Sequence, residues 1–111
     1  MTVMEKFHII SLKAVAQLRK EASNQFVMLM KHENMSIEYF TPQKIDNQEP
    51  HIQDEIYVIA SGSGTFYGGG DQVKFDKGDV IFVPKGMKHH FEKFTDDFAT
   101  WVIFYGEENG G

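Results

Sequence analysis

Short apolar runs, most of them alternating with polar residues, follow one another from residue 25 to residue 106. Successive side chains of a β-strand point to opposite faces, so a period of two predicts strands. Turn-forming residues separate the runs, as in SGSG at 61–64, GGGD at 68–71 and DKGD at 76–79. The pattern predicts roughly eight or nine short strands, which is typical of an all-β sandwich or closed barrel.

The N-terminal segment has a different pattern. Ser11 is a suitable N-cap for the run LKAVAQLRKE, in which Leu12, Val15 and Ala16 recur at helical spacing. We therefore predict a short helix there, preceded by an arm. Nothing in this helix points to chemistry.

Length and composition indicate one domain. The chain has 111 residues, of which 41% are hydrophobic and 10 are phenylalanine, and this is enough apolar mass for a single core. Most of the aromatic rings are expected to fill that core, and some to line a pocket. We expect an arm with a short helix at 1–24 and a single β-barrel domain at 25–111.

Charge and cysteine content narrow the partners. The chain has no cysteine, so a metal would be held by nitrogen and oxygen ligands, and the cytoplasm is the expected compartment. The net charge of -5 comes without a lysine or arginine cluster, so we expect no nucleic-acid partner. No stretch approaches the roughly 18 apolar residues of a membrane span, and we expect a soluble protein without a membrane partner.

Two segments carry the candidate chemistry. In EPHIQDEIYV, at 49–58, His51 and Glu55 are four residues apart, so on one strand they share a face. An unpaired ionised carboxylate is costly to bury, and a cation would remove that cost. The second segment, GDVIFVPKGMKHHF, turns and re-enters an apolar run at His89. Our hypothesis is that His51, Glu55 and His89 hold a metal inside the barrel.

The remaining histidines are His8, His32 and His90. His90 is adjacent to His89, so the two point to opposite faces of a strand and only one of them can be a ligand. His8 and His32 stand alone, which is typical of surface or core histidines.

Glu55 also has an alternative role. It could face solvent or pair with a lysine such as Lys85 or Lys88, and periodicity leaves both alternatives open. A purely structural barrel, with the three candidate ligands spread apart or exposed, is the remaining alternative.

HIQDEIYVIASGSG and GDVIFVPKGMKHHFEKF resemble the two sequence motifs of the cupin superfamily. In that family the first motif contains two histidines, a glutamate and, after six further residues, a glycine. The second motif contains a glycine, a proline, a second glycine, a histidine and a final asparagine. The matching positions are His51, Glu55 and Gly62 in the first motif and Gly78, Pro84, Gly86 and His89 in the second.

The chain departs from the family pattern at two positions. The first histidine of the family falls at Glu49, and the final asparagine of the second motif falls at Lys93. Glu49 has the same strand phase as His51 and is a candidate fourth metal ligand, although Pro50 beside it can turn it away. The ligand set is therefore His₂Glu or His₂Glu₂.

Two imidazoles and a carboxylate suit a divalent transition metal ion such as Fe, Zn, Mn, Ni or Cu. The resemblance implies a cupin jelly-roll barrel, a homodimer, and an N-terminal arm available to pack on the partner. We expect a metal-dependent enzyme of the oxygenase or isomerase type that acts on a small organic acid or sugar-like molecule. Tyr57 or Tyr39 would be a hydrogen-bond donor beside the metal. The alternative is a non-catalytic module that binds a small-molecule ligand.

Overall fold

The structure, a computed structural model, describes residues 4–5, 8–9, 26–42 and 50–107. The helix predicted from Ser11 and the candidate ligand Glu49 lie outside the described residues, and the division at residue 24 stays a prediction. The strands are β1 Met4–Glu5, β2 His8–Ile9, β3 Phe26–His32, β4 Met35–Phe40, β5 Asp54–Ser61, β6 Gly64–Gly68, β7 Asp71–Phe75, β8 Val80–Val83, β9 His89–Glu92 and β10 Ala99–Tyr105.

The described strands hydrogen-bond as three antiparallel sheets. One has the order β3-β4-β10-β5-β8, a second the order β7-β6-β9, and β1 pairs with β2. The predicted all-β fold is confirmed for this part of the chain, whereas closure into a barrel stays a prediction. No helix of the described residues is long and apolar enough to cross a bilayer.

The core lies between the five-stranded and three-stranded sheets. Alternate residues of β5 and β10 are buried, as the period of two predicts, and the register joins Tyr57 to Val102. The ring of Tyr57 meets Phe91 of β9 edge-on, with centroids 4.9 Å apart, and Phe91 in turn packs on Phe66 of β6 at 5.2 Å. These aromatic contacts join the two sheets into one core.

The outer face of the five-stranded sheet is also apolar. Val27, Leu29 and Tyr39 form a second buried cluster there. At the opposite edge of the same face, Val80 and Phe82 of β8 are exposed.

The backbone conformation at Gly62 and Lys93 explains which residues the cupin motifs have at these two turn positions. Gly62 has a φ of 82°, and a Cβ atom there would lie 2.6 Å from the Cα of Phe98, so the turn after β5 admits only glycine without rearrangement. Lys93, which follows β9, has a φ of 54°. Asparagine adopts this left-handed conformation more readily than lysine does, which accounts for the asparagine that the cupin motif has at this position.

Candidate metal centre

His51, Glu55 and His89 come together at one end of the core. Each offers one ligand atom, and these atoms lie within 4.8 Å of one another. Glu55 belongs to β5 of the five-stranded sheet and His89 to β9 of the three-stranded sheet, so the packing of the two sheets creates the cluster. In the part of the chain that the structure describes, this is the one such group of three.

Glu55 is fully buried, with 0% of its surface exposed. Its Oε1 lies 2.9 Å from Nε2 of His89 and 3.7 Å from Nε2 of His51. Although 2.9 Å is a hydrogen-bonding distance, neither carboxylate oxygen has a partner in hydrogen-bond geometry among the described residues. This burial contradicts the alternative in which Glu55 faces solvent. Neither Lys85 nor Lys88 donates a hydrogen bond to its buried carboxylate oxygens.

His89 is held in one tautomer. Its Nδ1 lies 2.8 Å from the carbonyl oxygen of Met87, and because a carbonyl only accepts, Nδ1 carries the proton and donates it. In the neutral ring, Nε2 then presents a lone pair to Glu55. Metal-ligating histidines are commonly oriented by this kind of hydrogen bond from the second nitrogen.

His90 faces the other way, as adjacent strand residues should. Its ring stacks on Tyr67 with centroids 4.9 Å apart, and its Nε2 lies 3.1 Å from Oε1 of Glu92. Of the two neighbouring histidines, His89 is therefore the one that belongs to the cluster.

His51 reaches the cluster by a different route from the predicted one. The sequence pattern started the strand at residue 51, but β5 begins at Asp54, so His51 and Glu55 do not share the face of one strand. Residues 50–53 are a loop without regular strand pairing. Pro50 lacks a backbone N–H, which limits pairing at the start of this loop. The prediction of the shared face was wrong, and the loop nevertheless brings the imidazole to the carboxylate.

Several contacts hold this loop. The carbonyl of His51 accepts a hydrogen bond of 2.8 Å from the amide of Gly86, in the turn of the second motif. The Nε2 of Gln53 donates to the carbonyls of Asn34, at 2.7 Å, and Gly106, at 3.0 Å. The edge contact between the rings of His51 and Phe104, at 5.0 Å, adds packing from β10. The loop is thus held by hydrogen bonds to the turn between β3 and β4, to the residue after β10 and to the turn between β8 and β9.

The donor set fits a divalent cation. An imidazole lone pair and a buried carboxylate that accepts no hydrogen bond from the described residues stand 2.9 Å apart, and both are electron-rich acceptors. Such an arrangement is costly unless a positive charge lies within reach of both. Nitrogen and carboxylate oxygen are ligands that Zn and the neighbouring transition metals accept.

The two tyrosines considered as donors have different positions. The hydroxyl of Tyr57 is buried and lies 3.1 Å from Nε2 of His89, beside the cluster. Tyr39 points to the outer face, where it packs against Trp101, so it is remote from the cluster. Burial raises the pKa of the Tyr39 phenol.

Glu38 is a site residue that the sequence reasoning missed. Its register partner is Val102, which also pairs with Tyr57, so Glu38 lies on the inward face of the five-stranded sheet. Burial, with a contribution from the negative charge of Glu55, raises the pKa of Glu38. The signal was present in the alternation of MSIEYF, which puts Glu38 in phase with the core residue Phe40.

Glu38 lines a surface cavity next to the cluster. The cavity has a volume of about 490 Å³, within the range of small-ligand sites. His51 also lines it, so a molecule in the cavity would contact a candidate metal ligand. The lining consists of Phe26, Met28, Lys31, Ser36, Glu38, His51, Ile52, Gln53 and Phe104.

The fold and the cluster define the class of protein. The family model of the cupin domain matches residues 36–105, and the chain belongs to that family. It is a small single-domain cupin.

Among curated proteins, the chain is similar along its whole length to an uncharacterized protein of Streptomyces coelicolor. The two are 30% identical over 108 residues, which cover 96% of this chain and 100% of the relative. A shorter match joins it to the acireductone dioxygenase of Frankia alni, with 41% identity over 68 residues, or 57% of this chain and 32% of the enzyme. The acireductone dioxygenase of Granulibacter bethesdensis is 32% identical over 61% of this chain and 40% of the enzyme. The chain thus spans well under half the length of these enzymes.

Solved structures share the fold at low sequence identity. KdgF from Halomonas sp. has a TM-score of 0.65 and 14% identity, over 74% of this chain and 77% of that one. A Cupin 2 conserved barrel domain protein from Salinispora arenicola has a TM-score of 0.62 and 19% identity, over 77% of each chain.

Proposed function

We propose that this protein is a metal-dependent enzyme of the oxygenase type, in which His51, Glu55 and His89 bind one divalent transition metal ion. The observation that carries the proposal is the buried carboxylate of Glu55, which lies 2.9 Å from an imidazole nitrogen and accepts no hydrogen bond from the described residues. Zn, Fe, Mn, Ni and Cu all suit this donor set. Glu49 remains a candidate fourth ligand.

The bound metal would supply Lewis-acid activation of an oxygen atom of the small-molecule substrate. The residues of the chain have separate tasks. The Met87 carbonyl fixes the ring of His89 through Nδ1, and the Tyr57 hydroxyl, 3.1 Å from Nε2 of that ring, is a hydrogen-bond donor at the centre. The apolar rings of Tyr57, Phe66 and Phe91 limit the access of water to Glu55 from the core side.

The similarity to acireductone dioxygenases, which covers 57% of this chain for the Frankia alni enzyme, favours an oxygenase over an isomerase. The proposed substrates are small organic acids or sugar-like molecules. A non-catalytic cupin that binds a small ligand is the second candidate, and the surface cavity beside His51 is the observation that favours it. We also propose a closed barrel, a cytoplasmic location and a homodimer.

Metal analysis tests the first part of the proposal. Protein purified without a histidine tag and reconstituted with Fe(II), Zn or Ni should contain about one ion per chain, and Glu55→Gln should contain almost none, because the amide is a poor ligand. Equal metal content in the two proteins would contradict the proposed site.

Dioxygen consumption by the Fe(II) protein then separates the two functions. We expect turnover with at least one member of a panel of enediols, keto acids and sugars, and none with Glu55→Gln. Binding of panel members to a fully metallated protein without turnover would favour the binding module instead.

A further inference from the structure

The cavity beside the cluster contains a carboxylic acid that the metal centre does not use. Glu38 is outside the group of three candidate ligands, yet it lines the same cavity as His51. Its side chain is half-buried on the inward face of β4, opposite Val102. A half-buried carboxyl group needs hydrogen-bond donors to offset its lost hydration, and a ligand in the cavity can supply them.

The remaining lining of the cavity is mainly apolar. Phe26 and Met28 of β3 are both on its wall and are 36% and 54% exposed, which is unusual for large apolar residues on the inward side of a sheet. Phe104 of β10 also lines the cavity. A ligand that covered these side chains would bury apolar area, and Glu38 would fix its orientation.

Charge decides which ligands suit this cavity. The carboxylates of Glu38 and Glu55 together balance the charge of one divalent ion, so the metal-loaded site has no excess positive charge for an anion. Lys31, which also lines the cavity, is exposed at the rim, where water and salt screen its charge. A ligand anion next to Glu38 would meet a like charge in a partly desolvated site, whereas a hydroxyl group would donate a hydrogen bond.

We propose that Glu38 is the specificity-determining residue of this cavity, and that its carboxyl group selects neutral, hydroxyl-bearing small molecules of sugar-like chemistry over anionic ones. The inference rests on the proposed function, because the metal at His51 forms the other polar side of the cavity. It narrows the proposed substrates from acids and sugars to the sugar-like class. The apolar walls at Phe26, Met28 and Phe104 contact the hydrocarbon face of such a molecule.

Binding of matched sugars to the zinc-loaded protein tests the inference. The probes are D-glucose, D-gluconate and D-glucose 6-phosphate, which share a carbon skeleton and differ in charge. Dissociation constants are measured by NMR titration with ¹³C-methyl methionine, where Met28 reports on the cavity. Glucose should shift the Met28 signal, and both anions should bind at least about 10-fold more weakly.

Substitutions assign this preference to one side chain. Glu38→Gln keeps hydrogen-bonding atoms but removes the charge, so the preference for glucose over gluconate should shrink by about 10-fold. Glu38→Ala should weaken glucose binding by about 10- to 100-fold, the value of a hydrogen bond to a charged group. Glu107→Gln makes the same charge change at an exposed position. It should change neither the preference for glucose over gluconate nor the dissociation constant of glucose.

The zinc content of every sample separates the two proposals. Zinc-loaded wild-type protein that binds no glucose at Met28, or that binds gluconate as well as glucose, would overturn the role of Glu38 and leave the metal site intact. A Glu38→Gln variant that keeps the wild-type preference would overturn that role in the same way. Protein that takes up no zinc would overturn the proposed function, and this inference with it.

Discussion

Oε1 of Glu55 lies 2.9 Å from Nε2 of His89, and the two residues come from opposite sheets of the fold. Both side chains are almost completely buried. A carboxylate and an imidazole therefore meet at the interface where the two sheets pack, and the buried carboxylate needs a positive charge nearby. A metal ion bound at the proposed site would therefore couple its binding to the packing of the two sheets through this contact.

His89→Ala should abolish metal binding, whereas His90→Ala should leave it unchanged. The two residues are neighbours in sequence, but only His89 faces Glu55. At a free metal concentration of 100 times the dissociation constant, the metal should stabilise the wild-type fold by about 2.7 kcal/mol, or roughly 10 °C in melting temperature. The measurement is the melting temperature with metal minus that with chelator.

This difference in melting temperature isolates the metal from the packing defect that any buried truncation causes. It should be near zero for His89→Ala and of wild-type size for His90→Ala. A wild-type protein whose melting is indifferent to chelator would contradict the prediction.

Gln53→Ala should weaken metal binding without removing a ligand. The Gln53 amide holds the loop of His51 to the carbonyls of Asn34 and Gly106. Loss of two hydrogen bonds worth about 1 kcal/mol each leaves the imidazole less well positioned, and we expect the Zn dissociation constant to rise by about 3- to 30-fold. Competition with a chromophoric chelator measures it.

Gln53→Glu provides a comparison for that variant, because a carboxylate cannot donate to the two carbonyls. It should weaken Zn binding at least as much as Gln53→Ala does. Wild-type affinity in both variants would show that the loop positions His51 without this side chain.

Glu38→Gln should change how the stability of the metal-free protein depends on pH. Burial raises the pKa of Glu38 above its ordinary value of 4.5, so the folded state holds this proton more tightly than the unfolded state. Wild-type stability is therefore lost as the pH rises from 4.5 through the raised pKa. The variant lacks this loss, so its stability relative to wild type should increase as the pH rises from 4.5 through the raised pKa of Glu38.

Urea unfolding in the presence of chelator, at several pH values, measures the effect of Glu38. The exposed residue Glu107, changed to Gln, serves as the control and should follow the wild-type curve. A constant difference between Glu38→Gln and wild type at all pH values would contradict the assignment.

Lys93→Asn should stabilise the protein. Lys93 has a φ of 54°, a left-handed conformation that costs most side chains about 1 kcal/mol and costs asparagine less. We expect a gain of about 0.5–1 kcal/mol, or a few degrees in melting temperature. Lys77→Asn, at an exposed turn position without a positive φ, makes the same charge change and should give no comparable gain.

The alternation of apolar and polar residues was sufficient to predict the strands, because they depend on a local period of two. It also showed that only one of His89 and His90 could be a ligand, but it left open whether Glu55 faces the core. The resemblance of the two motifs to cupins supplied what periodicity could not, namely that strands far apart in sequence are close in space.

The local pattern did not predict the loop at His51 or the role of Glu38. The position of His51 depends on hydrogen bonds from Gly86 and Gln53, which are distant partners that no local pattern encodes. Glu38 faces the site because β10 pairs with both β4 and β5. Val102 of β10 is thereby the register partner of both Glu38 and Tyr57. Both features arise from tertiary contacts.

His51 is 31% exposed, whereas the side chains of Glu55 and His89 are at most 1% exposed. An ion would therefore arrive and depart on the His51 side. The speed of this exchange would depend on how often the short segment 50–53 detaches, while the other two ligands stay sealed in the core. Such a site can exchange its ion without unfolding, and its occupancy in a cell would follow the supply of metal over the lifetime of one folded molecule.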